Sequence, residues 1–423
     1  MRIFRFAELT EADFLNRKID DYAEYEPAVK EIIARVRAEG DGALRFYADK
    51  FDGGAPASFE LSEEDKKAAL ARVSEEYKDM LKRAAANIRE FHERQKREGF
   101  SYTRPDGTVL GQKFTPIEKA GIYVPGGTAS YPSTVLMNAI PAKVAGVKEI
   151  VMATPPSRGG GIRAEIVAAA DVAGVDRIFL IGGAGAIAAL AFGTESVPRV
   201  DKITGPGNIY VALAKKAVFG TVGIDMVAGP SEILVIADES ADAATVAADL
   251  LSQAEHDRLA SAVLVTTSET LAREVSDEVE RQLKLLPREE IARASVENCG
   301  KIIIADSIDD AVKVSNAIAP EHLELCVKEP FKVLEDITAA GSVFLGANTP
   351  EAAGDYFAGP NHTLPTSGSA RFSSPLSVDD FVKKSSFICY TKEGFESAID
   401  DIVMFAESEG LTAHARSAEA RRK

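Results

Sequence analysis

Apolar positions along the chain fall into two regimes. Over residues 26–38 and 63–97 they recur at three- and four-residue steps among many charges, which predicts amphipathic helices. Near Thr115 the pattern changes. Short runs of Val, Ile and Phe without polar alternation, at 149–153, 177–181, 233–237, 262–266, 301–305 and 341–345, alternate with Ala-rich stretches of helical length. Unbroken apolar runs predict strands covered on both faces, and helices between them predict right-handed crossovers and parallel sheets. An α/β architecture follows, with one sheet drawn from about 121 to 203 and another from 233 to 345. Beyond Leu345 the chain is rich in Gly, Pro, Ser and Asn through Ser377. Loops of that length with few elements of their own are usually functional. Helical segments are expected at 378–384 and 392–409, followed by a charged tail.

The chain has 423 residues, enough for two or three domains at about 100–200 residues each and for a core that needs no disulfide or structural metal. Lys and Arg number 49 against 65 Asp and Glu, a net charge of −16. That balance excludes a general phosphate-backbone binder, which needs clustered cations. Cys299, Cys326 and Cys389 are far apart with no C-x-x-C pattern, so a reducing compartment fits best. Arg2, Arg5, Glu8 and Glu11 leave no apolar core for a signal peptide. The longest uncharged stretch, 120–142, contains Pro125, Pro132 and Pro141 and cannot be one membrane helix. The chain reads as soluble and cytoplasmic.

Histidine is scarce: His92, His256, His322, His362 and His414. His92 lies in a charged helix and is expected on the surface. His256 ends a helix expected over 241–256, three residues after Gln253, so both project from one face. An amide oxygen and an imidazole there offer a metal two ligands, although Gln is an unusual zinc ligand and a polar helix end is the bland alternative. Glu321 and His322 follow Pro320, which places them on a turn, where they either serve two proton-transfer roles or form a plain solvent-exposed acid–base pair, the favoured reading of the residues alone. Asp355 and His362 lie seven apart in a Gly/Pro-rich segment, and His414 follows Glu409 near the C-terminus. Terminal segments fray unless docked, so a functional residue there implies a second subunit.

Glycine-rich turns form the other group. Gly183-Ala184-Gly185-Ala186-Ile187-Ala188 follows an expected strand and opens an Ala-rich helix, with Asp201 roughly twenty residues on; this matches the dinucleotide fingerprint, a short motif with many accidental matches. Val124-Pro125-Gly126-Gly127 and Gly205-Pro206-Gly207-Asn208 are further turns at strand ends, and α/β sheets bind ligands outside strand C-termini.

Taken in order, Gly121-Ile122-Tyr123-Val124-Pro125-Gly126-Gly127, Gly205-Pro206-Gly207-Asn208, Ala228-Gly229-Pro230-Ser231-Glu232, the segment 251–256, Pro320-Glu321-His322-Leu323, Gly341-Ser342-Val343-Phe344-Leu345-Gly346 and the segment 354–366 resemble histidinol dehydrogenases from about Ile32 to the C-terminus. The resemblance implies two incomplete Rossmann-like parallel-sheet domains with small N- and C-terminal helical segments. The implied boundaries are an N-terminal arm at 1–20, a discontinuous metal and substrate domain at 21–120 and 231–372, an NAD-side domain at 121–230, and a C-terminal segment at 373–423. In such homodimers that last segment completes the partner's active site. The implied reaction is NAD- and zinc-dependent oxidation of L-histidinol to L-histidine through an aldehyde, the last step of histidine biosynthesis.

Carried over by position, zinc falls to Gln253, His256, Asp355 and His414, four groups that also meet the substrate. His322 resembles the base for the alcohol and a further substrate contact; Glu321 resembles the base for water. Ser231, His362 and Glu409 resemble substrate contacts, and Tyr123 and Asn208 resemble NAD contacts. In one place the sequence departs: Gly185 stands where the family usually has Gln, so only its backbone N–H remains for a cofactor phosphate. Three other readings stay open: a paralogous zinc and NAD dehydrogenase of another small alcohol, a zinc hydrolase in which Glu321 activates water, and a non-catalytic binding protein on the same scaffold, which the presence of both Glu321 and His322 disfavours.

Overall fold

The computed structural model describes residues 1–14, 22–126, 131–157 and 160–422. Gly127 of the first glycine turn, residues 15–20 of the N-terminal arm and Lys423 of the tail lie outside the described residues. In chain order the strands are β1 (Arg2–Arg5), β2 (Phe100–Thr103), β3 (Val109–Pro116), β4 (Lys119–Tyr123) and β5 (Glu149–Thr154). Then come β6 (Arg177–Leu180), β7 (Lys202–Thr204), β8 (Gly223–Ile224), β9 (Glu232–Ala237) and β10 (Ser261–Thr266). β11 (Lys301–Ile304), β12 (His322–Cys326), β13 (Ser342–Leu345) and β14 (Val382–Cys389) complete the series. Two compact units result: Met1–Gln95 with Ile117–Phe381, and Lys96–Pro116 with Val382–Lys423.

The larger unit holds both expected parallel sheets, in the orders β6-β5-β4-β7-β8 and β1-β11-β10-β9-β12-β13. The unexpected member is β1, too short and too charged to show a period, which pairs in parallel with β11. In the first sheet, residues 59–61 close the edge beside β6. Leu61 N–H donates to the Ile178 carbonyl at 2.9 Å and Leu180 N–H to that of Phe59 at 2.8 Å, leaving less open backbone for foreign strands.

The N-terminal helices, expected beside the metal-side strands, cover the first sheet instead. Ile32, Val36 and Leu44 pack with Val151 and Ile187, while Leu81 and Ile88 pack with Ile122 and Ile140. This explains the Ala-rich helices beneath them. Gly183–Phe192 has no polar face because it lies between a sheet and an outer helix, where only small apolar side chains fit. The segment 63–97 is not one helix. It breaks into Glu63–Leu70 and Glu75–Glu93, since the Ser74 hydroxyl accepts the Tyr77 N–H at 3.2 Å and starts a new helix. His92, expected on the surface, is fully buried, its Nδ1 2.7 Å from Gln95 Oε1; the charges around it occupy the other helical face.

The smaller unit is the antiparallel sheet β14-β3-β2 with helices Lys392–Ser408 and Thr412–Glu419. A helix is expected over 378–384, but a single helical turn at Val378–Phe381 gives way to β14, which pairs with β3 over its whole length. A partner strand 270 or so positions earlier overrides a local pattern with no strong period. Among the described residues no helix is long and apolar enough to cross a membrane.

Candidate active site

Both parallel sheets open onto one cavity of about 330 Å³ in the larger unit, and they do so by opposite ends. The first sheet contributes Pro125 and Gly126 after β4, and Gly205, Pro206, Gly207 and Asn208 after β7. These flank the point where strand order reverses, β4 lying between β5 and β7, and such switch points are where open α/β sheets bind ligands. The second sheet contributes Ser231, just before β9, and Glu321 and His322, where β12 begins. Ligand binding outside strand C-termini therefore describes the first sheet and fails for the second.

Crossover geometry makes the two ends electrically different. Helix N-termini gather at C-terminal strand ends and helix C-termini at N-terminal ones. On the first side the cavity meets the start of Pro132–Ala145, through Ser133 and Thr134, and of Ile209–Val218, through Asn208. On the other it meets the end of Ala243–Ala254, which carries Gln253 with His256 just past its last turn. The first pole favours anions and the second cations.

Glu321 and His322 do not sit on an open turn; both are buried, with relative exposures of 7% and 4%. Glu321 Oε2 accepts the Glu232 N–H at 3.0 Å. His322 Nδ1 lies 3.0 Å from the Glu232 carbonyl oxygen and 2.8 Å from Gln253 Nε2. Gln253 Nε2 also donates to the Glu232 carbonyl at 3.2 Å, so the amide oxygen is the atom of Gln253 left for a cation. His322 Nε2 is buried without a hydrogen-bond partner, 3.7 Å from both Glu351 Oε1 and Asp355 Oδ1.

Glu351 and Asp355 are one turn apart, and Asp355 lies in a wide π-type turn, Gly354–Ala358, a distortion that recurs at functional sites. Only glycine fits at 354, where a Cβ would lie 2.5 Å from the Phe344 ring. His362 Nδ1 lies 3.1 Å from the Asp355 carbonyl oxygen.

Burial pushes the Glu321 carboxyl up to about 8 and that of Glu351 to about 7. Burial opposes charge on His322, but Glu351, Glu321 and Asp355 outweigh it and raise the imidazole to about 10. Burial likewise works against charge on Asp355, yet His322, His362 and His256 hold it below the usual carboxylate range. His256 and His362 are both lowered, chiefly by burial. Among the described residues lining the cavity, Lys215 is the one lysine or arginine, and it is paired with Asp225. Glu351 and Asp355 thus face an unpartnered imidazole nitrogen, with Glu321 3.8 Å from the other nitrogen of the ring and no fixed cation among them. Such a donor set fits a divalent metal, which would supply the missing positive charge.

That imbalance has a measurable consequence. Above about pH 7 the lowered His256 and His362 are neutral folded and unfolded alike, while Glu321 and His322 hold protons more tightly folded than unfolded, so stability falls as pH rises. The metal-free protein is expected to lose thermal stability progressively between about pH 7 and pH 10, and added divalent metal to flatten that slope; melting curves at several pH values with and without chelator check this.

Ser231, Gln253, His256, Glu321, His322, Asp355, His362 and Asn208 line the one cavity. Tyr123 and Gly185 do not. Tyr123 is buried, its hydroxyl accepting the Gly183 N–H at 3.1 Å, which fixes the turn before Gly183–Phe192. Asp201, the acid of the dinucleotide fingerprint, caps the wrong end of the sheet: its Oδ2 accepts the N–H groups of Glu118 and Lys119, each at 2.9 Å. Glu409 and His414 belong to the smaller unit, where they border an apolar hollow with Phe405 and Leu411. Glu351, Lys215 and Asp225 escaped sequence reasoning. The i, i+4 spacing of Glu351 and Asp355 was the available signal for the first; the other two acquire meaning only in contact.

At Gly185 a Cβ would meet only Leu44 Cδ2, at 3.6 Å, an ordinary contact. Gly185→Ala is therefore expected to raise stability by about 0.5–1 kcal/mol, measured by denaturant titration, with activity kept because the backbone N–H is kept.

Comparison with known proteins agrees with this geometry. The histidinol dehydrogenase family model matches residues 15–422. A histidinol dehydrogenase of Bacillus cereus is 58% identical over 394 residues, 93% of this chain and 92% of that one. One of Geobacter sulfurreducens is 55% identical over 429 residues, covering 99% and 100%. The crystal structure of the histidinol dehydrogenase from Elizabethkingia anophelis superposes with a TM-score of 0.94 at 40% identity, covering 100% of this chain and 98% of that one. With the order of motifs, the double-sheet cavity and these relatives in agreement, the chain belongs to the histidinol dehydrogenase family.

Proposed function

We propose that the protein oxidises L-histidinol to L-histidine, through the aldehyde, in the cavity between the two sheets, as the last step of histidine biosynthesis in the cytoplasm. One observation carries the reading: a cluster of carboxylates around an unpartnered imidazole nitrogen at a cation-favouring pole, facing an anion-favouring pole across the same cavity. Zinc, held by Gln253, His256, Asp355 and the partner subunit's His414, would anchor the substrate and polarise its hydroxyl. NAD, lodged against the first sheet near Asn208, would accept one hydride in each of two oxidations.

The chain's own groups then move the protons. With Nδ1–H donating to the Glu232 carbonyl, His322 presents the Nε2 lone pair and takes the proton of the alcohol as the carbon loses hydride. Glu351, Glu321 and Asp355 otherwise keep this imidazole charged, an effect that a bound cation would offset. Glu321 takes a proton from water as its oxygen adds to the aldehyde, and the resulting diol monoanion loses a second hydride and its remaining hydroxyl proton to give the carboxylate. Ser231 and His362 hold the substrate from this chain, and the partner subunit's Glu409 suits its ammonium or imidazole. Keeping the two proton acceptors on adjacent residues lets the aldehyde stay in place between steps.

The test is a steady-state assay with L-histidinol and NAD, following reduced NAD by absorbance with and without a chelator. Two molecules of reduced NAD per histidine formed, lost on chelation and regained with zinc, is the expected result. A zinc hydrolase gives no absorbance change; a dehydrogenase of another alcohol reduces NAD with its own substrate but not with histidinol.

A further inference from the structure

The peptide groups on both sides of Gly205 are gripped by one buried ion pair. Gly205 N–H donates to Asp225 Oδ2 at 2.8 Å, and Lys215 Nζ donates to the Gly205 carbonyl at 2.9 Å. Lys215 and Asp225 are themselves paired, with side chains 2% and 1% exposed. The Met226 N–H adds a bond to Asp225 Oδ1 at 2.7 Å. Three segments are thereby tied at one point: the end of β7, the helix Ile209–Val218, and the loop after β8.

A buried ion pair is a poor device for stability alone, since an apolar pair of similar volume usually does as well or better. It does what an apolar pair cannot, holding a donor and an acceptor of one residue in fixed directions. Gly205 needs that. Its φ is +113°, and a Cβ there would run into the Tyr123 carbonyl oxygen of β4. At Gly207 a Cβ would lie 2.5 Å from Val211. The turn is thus packed against the β4 backbone at Gly205 and the Val211 side chain at Gly207, and it ends at Asn208, whose Oδ1 caps the helix by accepting the Val211 N–H at 3.2 Å. Turn, ion pair and cap all line the cavity at its anion-favouring pole, away from the carboxylate cluster.

We propose that Lys215 and Asp225 are positioning residues for the cofactor: their clamp on Gly205 sets the turn and the start of Ile209–Val218 against which NAD lies. The proposal rests on the nicotinamide reading above. Neither residue touches the carboxylate and imidazole groups, so the clamp serves one substrate of the reaction and leaves the other alone.

The deciding experiment uses the double variant Lys215→Met/Asp225→Asn in the full-length protein. The amide still accepts the Gly205 N–H and no buried charge is left alone, but the bond to the Gly205 carbonyl is gone. Steady-state kinetics with both substrates, metal content and a thermal midpoint are measured beside the parent. The expected result is a KM for NAD raised about 10- to 100-fold, with metal content and the KM for histidinol within about twofold of the parent. A folded variant whose KM for NAD stays within about twofold, or whose two KM values rise together, overturns the proposal. If the double variant does not fold, Lys215→Met alone, which also removes the bond to the Gly205 carbonyl, carries the same measurement; if neither folds, the pair is a folding element and the proposal falls. Failure of the nicotinamide reading shows separately, as a parent protein that reduces no NAD, and it takes this proposal with it.

Discussion

His322→Ala is expected to lower kcat by about 10²–10⁴-fold, the range for loss of a general base, while the purified protein keeps its metal. His256→Ala is expected to lose most of its metal and its activity with it. The distinction follows from where the two rings stand. His322 Nδ1 faces the Glu232 carbonyl and the Gln253 amide, inside the sheet edge, and its Nε2 is 3.7 Å from two carboxylates. His256 stands past the end of its helix and faces the cavity from the rim. Metal content by elemental analysis after gel filtration, together with turnover, checks the pair of variants. Equal metal loss from both would move the ion to His322, Glu351 and Asp355, whose donor atoms already lie within 4.8 Å of one another. His322 would then be a ligand, and the base would have to be found elsewhere.

The second large effect is a gain. His322→Ala and His414→Ala proteins, each inactive alone, are expected to recover about a quarter of the parent's activity when mixed, unfolded and refolded together. Random pairing makes half the dimers hybrids. In each hybrid one of the two sites has its His322 from one chain and its His414 from the other, while its second site lacks both. The expectation rests on the position of Glu409 and His414 in the smaller unit, built from residues 96–116 and the C-terminal segment, separate from the unit that holds the cavity. Activity of the mixture, with dimers confirmed by sedimentation, is the measurement. Confirmed hybrid dimers without activity would mean that each site is completed within its own chain.

The periodicity of the chain was enough for the two parallel sheets, because a strand covered on both faces has to be apolar throughout and that demand is written residue by residue. The same holds for Glu321-His322 and for Gln253 and His256, where chemistry-bearing residues are neighbours in sequence. It failed at β14, whose partner β3 lies far earlier in the chain, and at His92, whose helix shows its charges to solvent and its imidazole to the core.

What the sequence alone determined, then, is the α/β class, most of the strands covered on both faces and a set of candidate side chains, since these depend on local composition and on spacing within one element. Only the tertiary structure decided that the second sheet uses the N-terminal ends of its strands, that Glu351 stands beside His322, and that Lys215 and Asp225 grip Gly205 from either side. The reason is physical. Burial, dipole direction and an ion pair's partner are properties of how distant elements meet, and a residue carries no mark of them until the chain has folded.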